Sequence, residues 1–189
     1  DLGIWKDEHI EPLKRITDFI KKQGAVCGIQ LAHAGRKAST SSPWNGHKQL
    51  TETDGGWQTY APSPIAFNEE DTIPKEMSLE EITQFINEFV KAAERSVTAG
   101  FEVIEIHAAH GYLLNQFFSP LTNKREDIYG GSFENRARLL LEVTEKLRTV
   151  IPEGMPLFVR ISAEEWAEGG NTIDDNIQLA KLLKLKGAD

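Results

Sequence analysis

The chain has 189 residues, 40% of them hydrophobic and 26% charged, with a formal charge of −8; that balance supports a buried core and excludes a disordered polymer. Acidic excess without a basic stripe opposes a phosphate backbone, so nucleic acid is not an expected partner. No apolar run reaches the roughly 20 residues of a membrane span and no secretory leader is expected, which points to a cytoplasmic protein without membrane association. Cys27 is the single cysteine, which leaves no disulfide framework and no Cys-rich zinc site within the chain.

In chain order, residues 9 to 22 set Leu13, Ile16, Phe19 and Ile20 on one helical face, with Gly24 as the stop. AVCGIQL (25 to 31) reads as a short strand. Residues 36 to 76 carry no helical period, only STSSPWNGHKQL, a DGGW turn and the proline-bounded APSPIAF. A connection well beyond about 4–6 residues is a lid or binding loop, or else a hairpin with its own aromatic cluster; Trp44, Trp57 and Tyr60 argue against disorder. SLEEITQFINEFVKAAERSVTAG predicts the clearest helix, Ser78 and Glu81 standing at capping-box spacing. FEVIEIH (101 to 107) predicts the second strand, the segment from Gly130 a third helix with Ser132 as N-cap, and PLFVRIS (156 to 162) the third strand. Ile173, Ile177, Ala180 and Leu183 mark a fourth helix, and Gly187 its C-cap.

Helices alternating with short apolar strands describe an α/β chain with a parallel sheet covered by helices. Doubly wound sheets and (β/α)8 TIM barrels share this grammar, but neither GxGxxG after a strand nor GxxxxGK[ST] occurs. A whole barrel takes about 250 residues, so three strands are expected to be the middle of one. Ala188 and Asp189 read as the beginning of a further strand, and residues 1 to 189 as a central piece of one domain with a capping loop at about 36 to 76.

Side chains alternate along a strand, so each strand divides into two faces. Cys27, Ile29 and Leu31, then Ile104 and Ile106, then Leu157, Val159 and Ile161 form faces suited to helices. The opposite faces present Gln30, His107 and Arg160 near the strand C-termini, where parallel barrels keep their active sites. Singly, each has an ordinary account: Gln30 bonding a carbonyl, Arg160 pairing with Glu105, a satisfied core histidine. Together they suit a heteroaromatic ring: an amide for its edge, a guanidinium for negative charge upon it. His107 and His110 can aim two N–H donors at one oxygen if the chain leaves strand geometry between them, and Tyr112 adds a hydroxyl able to donate a proton.

GIQLAHAGRKAS, IEIHAAHGYLLNQFFSPLTNKREDIYGGSFENRARL and PLFVRIS, in that order, resemble the Old Yellow Enzyme family of FMN-dependent ene-reductases. The His-x-x-His pair is similar to the branch typified by bacterial NADPH dehydrogenases and xenobiotic reductases. The resemblance implies a (β/α)8 barrel holding FMN non-covalently, with Gln30 at the pyrimidine edge, Arg160 near N1 and O2, and His107 also within reach of the cofactor. It further implies that His107 and His110 grip a substrate oxygen and that Tyr112 protonates carbon. The substrate would be a small electrophilic alkene such as an enone, or a nitro compound, with NADPH or NADH as hydride donor and a homo-oligomer open to the complete protein. Arg125 and Asp127 read as loop-fixing charges, Gly130 and Gly131 as backbone freedom, and His33 and Arg36 as structural or rim residues. Two rivals stand beside this reading. One is a metal-dependent barrel hydrolase using His33, His107 and His110; the other is a segment with no activity by itself, binding FMN poorly.

Overall fold

The computed structural model describes residues 2 to 189. Its sheet is three-stranded, in the order β1 (Gly28–Leu31), β4 (Val103–Ala108), β5 (Leu157–Ile161), every pair parallel. Two short strands, β2 (Tyr60–Ala61) and β3 (Lys75–Glu76), pair with each other in the long connection. The helices are α1 (Ile10–Lys22), α2 (Leu79–Thr98), α3 (Leu113–Phe118), α4 (Phe133–Val150) and α5 (Ile173–Leu185).

The expected faces are the observed ones. Leu31, Ile104, Ile106 and Leu157 are buried, and they join Phe85, Phe89 and Ala93 of α2 and Leu140, Val143 and Leu147 of α4 in one core. Each such Leu, Ile or Phe contributes about 1.5–3 kcal/mol by leaving water. The other face of the sheet is open: Gly28, Gln30, Phe158 and Arg160 are exposed. Both capping predictions hold. Ser78 Oγ accepts from Glu81 N at 3.2 Å while Glu81 Oε2 accepts from Ser78 N at 2.8 Å, and Ser132 Oγ accepts from Asn135 N at 3.3 Å.

Three readings need correction. In α1 the buried residues are Leu13 and Thr17, whose hydroxyl donates to Ala99 O at 2.6 Å, whereas Ile16 and Phe19 are exposed. In α5 the buried side is Asn176, Leu179 and Leu183, not the side of Ile173 and Ile177. In both helices the apolar stripe is wider than the contact it makes. The long connection forms no aromatic cluster, since Trp44 and Trp57 are 85% and 59% exposed. It is ordered by polar ties instead: Thr40 bridges Gln49 antiparallel, Ser39 Oγ accepts from Trp57 N at 3.0 Å, and β2 pairs with β3.

The helix α3 went unpredicted. All six of its residues are buried, so it has no polar face and no period to detect. Beyond α5, Gly187 takes the left-handed conformation expected of it (φ 95°), and Asp189 N donates to Leu157 O at 3.0 Å, the pairing with which a further parallel strand would begin. Among the described residues no helix is long and apolar enough to cross a membrane.

Candidate active site

The segment after β4 must turn sharply for both histidines to face one point. It does so through two successive left-handed residues, His110 (φ 58°) and Gly111 (φ 70°). For a histidine this conformation is uncommon and persists only when its surroundings hold it. Side chains from the turn after β1, from α3 and from the turn after β5 do so. His110 N donates to Ser162 Oγ at 3.0 Å and His110 O accepts from Lys37 Nζ at 2.8 Å. Gly111 N donates to Asn115 Oδ1 at 2.7 Å and Gly111 O accepts from Gln116 Nε2 at 2.7 Å. Gln116, fully buried, also donates to Ala34 O at 3.3 Å and accepts from Arg36 N at 3.3 Å, which joins the turn after β1 to the turn after β4.

The result brings the three predicted side chains together. The His107 and His110 ring centroids lie 5.1 Å apart, edge to face, and Tyr112 lies 4.8 Å from His107. His107 Nδ1 accepts from Ala109 N at 3.3 Å. A ring nitrogen that accepts carries no proton, so in the neutral ring Nε2 holds the hydrogen and is the free donor. Burial, then the neighbouring His110, pushes the His107 pKa below its usual 6.5, which keeps that neutral donor in place near neutral pH.

A second group lies beside the first on the open face of the sheet. Gln30 is paired in register with Glu105, and His107 with Arg160. Arg160 leans back diagonally to Glu105, with Nε to Oε1 at 2.8 Å and Nη2 to Oε2 at 3.2 Å, and Gln30 Nε2 donates to the same Oε1. The Arg160 bonds, then Gln30, hold the Glu105 pKa below the usual carboxylate range. The ordinary account of Arg160 as a partner of Glu105 is therefore correct, and it leaves Arg160 and Gln30 exposed on the inner face.

The other rim residues do not join this group. His33 lies edge-on to Phe85 of α2 at 5.6 Å, its Nδ1 accepting from Gly35 N at 3.0 Å, and burial lowers its pKa. His33, His107 and His110 thus do not assemble as a ligand set, and among the described residues no three His, Cys, Asp or Glu side chains are grouped to hold a metal ion. Arg36 is structural, its Nη1 donating to Ile65 O at 3.1 Å and Ala66 O at 2.9 Å. Lys37 covers Phe67 at 4.2 Å and, with His110, Asn115 and Ser162, lines a cleft of about 300 Å³ next to the histidines. Arg125 bonds Asp127 as expected, and also reaches Pro62 O at 3.1 Å and Met77 O at 2.6 Å.

Sequence reasoning missed Asn115, Gln116, Lys37 and Ser162 as the residues that hold the histidine turn. The available signal was two amides four and five residues beyond Gly111 of the His-Gly pair, close enough to bond back to it.

The sequence profile of the NADH:flavin oxidoreductase / NADH oxidase family matches residues 1–189. The NADPH dehydrogenase of Bacillus subtilis is 49% identical over 189 residues, all of this chain and 51% of that protein. Among solved structures, the old yellow enzyme homologue from Zymomonas mobilis superposes with a TM-score of 0.80 at 30% identity, over 98% of this chain and 52% of that one. Morphinone reductase in complex with tetrahydroNAD gives 0.79 at 28% identity, over 98% and 53%. The chain spans about half the length of the curated relatives it matches. Matched along its whole length, and with its parallel strands forming an arc of a (β/α)8 barrel, the chain belongs to the NADH:flavin oxidoreductase / NADH oxidase family.

Proposed function

We propose that this chain carries the substrate clamp and part of the flavin site of an FMN-dependent reductase that uses a reduced nicotinamide to saturate electrophilic alkenes. The observation that carries the reading is the adjacency of two groups at the strand C-termini: the His107, His110 and Tyr112 cluster, and the Gln30, Glu105 and Arg160 row. The donor set fits FMN. Gln30 and Arg160 are exposed on a face that Gly28 leaves without a side chain, and an amide beside a guanidinium matches a ring edge that both donates and accepts and that gains negative charge on reduction. Bound there, FMN supplies the transfer of hydride from the nicotinamide to the alkene carbon.

The chain's own residues do the rest. Gln30 and Arg160 would hold the pyrimidine edge. His107 donates Nε2–H to a carbonyl or nitro oxygen, and His110 supplies a second donor once its ring turns to that oxygen. Fixed donors of this kind withdraw electron density from the double bond, so the activated carbon accepts hydride more readily. Tyr112, whose ring stands beside His107, would deliver its phenolic proton to the carbon next to the activating group.

In a protein of the relatives' full length that contains this chain, FMN should bind, bleach on anaerobic addition of NADPH or NADH, and recover its absorbance when an enone is added. Replacing both His107 and His110 with Ala should leave the flavin bound and weaken phenol or enone binding at least tenfold, the loss of about 1.4 kcal/mol or more of donor contacts. Tyr112→Phe should slow recovery by the alkene more than bleaching by the nicotinamide. Absence of flavin binding, or phenol affinity unmoved by the double substitution, defeats the reading.

A further inference from the structure

Glu105 belongs to none of the roles given above, yet its carboxylate is the shared acceptor of both side chains assigned to the flavin edge. An exposed arginine–carboxylate pair contributes little to stability, so the arrangement is poorly explained as a fold-holding contact. What it does fix is direction. A carboxylate only accepts, so Gln30 must turn its amide nitrogen toward Glu105 and its carbonyl oxygen away. Arg160 is held through Nε and Nη2 together, a two-point grip that sets the plane of the guanidinium. Register makes this possible: Glu105 stands directly opposite Gln30 on the neighbouring strand, while Arg160 starts level with His107 and is drawn back from it.

We propose that Glu105 is a positioning residue of the flavin site: it orients the Gln30 amide and the Arg160 guanidinium, and its negative charge tempers the cation offered to the reduced cofactor. The proposal rests on the reading that Gln30 and Arg160 face FMN. It implies that the flavin potential is set by three charges and dipoles in a row, not by Arg160 alone.

The test uses a protein of the relatives' full length that contains this chain, loaded with FMN, reading the dissociation constant by flavin fluorescence and the midpoint potential by dye equilibration. Glu105→Gln removes the charge and should shift the potential to more positive values, because the reduced, negatively charged flavin then meets an uncompensated guanidinium; FMN binding should weaken about tenfold. Glu105→Asp keeps the charge but shortens the reach, so affinity should fall while the potential stays near that of the parent. That variant carries the test alone if Glu105→Gln does not fold, and parental affinity in it would then overturn the proposal. Gln30→Ala and Arg160→Lys run alongside. If those two move affinity or potential and the Glu105 variants move neither, Glu105 has no positioning role and the flavin reading survives. If Gln30→Ala and Arg160→Lys also leave both quantities unchanged, the flavin edge lies elsewhere and both readings fall.

Discussion

His33 and His107 use the same device. Each turns Nδ1 to accept the backbone N–H two residues ahead, Gly35 N and Ala109 N respectively, and each is held below its ordinary pKa first by burial. The folded chain therefore takes up fewer protons than the unfolded one as pH falls below about 6.5. The stability that both groups contribute is complete above that value and is lost as pH drops through their lowered folded pKa values. The melting temperature should fall between about pH 7 and pH 5, a window separate from that of Glu105, Asp127 and Asp175, whose lowered pKa values place their loss in more acid solution. His33→Gln should flatten the decline without touching the clamp; an unchanged slope would remove His33 from this account. At this scale the sequence was readable where a residue's type and its strand face agreed, as for Gln30, His107 and Arg160. It was unreadable where a side chain serves a backbone group far along the chain, as Lys37 does for His110 across 73 positions, because no local period records such a bond.

Among the elements, α2 and α4 could be drawn from the sequence because their caps and long apolar stripes point the same way. For α1 and α5 the existence of the helix was legible and the buried side was not, since an apolar stripe reports what a helix can bury and not which neighbour it meets. The long connection was legible only as a departure from rhythm. Its order comes from anchors, and Arg125 is one of them: 7% exposed, it holds Pro62 and Met77, the residues that follow β2 and β3, and Asp127 in its own loop. Gly130 is part of that joint, since a Cβ there would lie 2.1 Å from Arg125 O. Arg125→Ala should cost about 2–4 kcal/mol by leaving two buried carbonyls without donors, read as a lower urea midpoint with protease cutting concentrated between 36 and 76. Arg125→Lys should recover part of it, as one ammonium cannot replace the planar fork. A loss below about 0.5 kcal/mol for Arg125→Ala, the level of an ordinary surface change, would show that the loop is held elsewhere.

For the molecule as a whole, β1 and β5 are the outer strands of the sheet, and the face bearing Gln30, Phe158 and Arg160 is open. Further contacts to a cofactor on that face would then have to come from elsewhere in a barrel. Residues 1 to 189 on their own should bind FMN at least about a hundredfold more weakly than a chain of the relatives' full length, a difference near 2.7 kcal/mol. Equilibrium dialysis with FMN checks this, and equal affinity would mean that the arc is self-sufficient. The alternation of elements conveyed an α/β chain with a parallel sheet and left doubly wound and barrel forms open; the family motifs pointed to the barrel and to the histidine pair, but the coupling of the strand ends to that pair emerges only in three dimensions. The left-handed pair His110 and Gly111 has its four backbone polar groups tied to Lys37 after β1, to Asn115 and Gln116 in α3, and to Ser162 after β5. A slip of one residue in any of the three main strands would untie it. The histidine turn therefore depends on correct assembly: a misregistered barrel would lose, along with its stability, the geometry that brings His107 and His110 together.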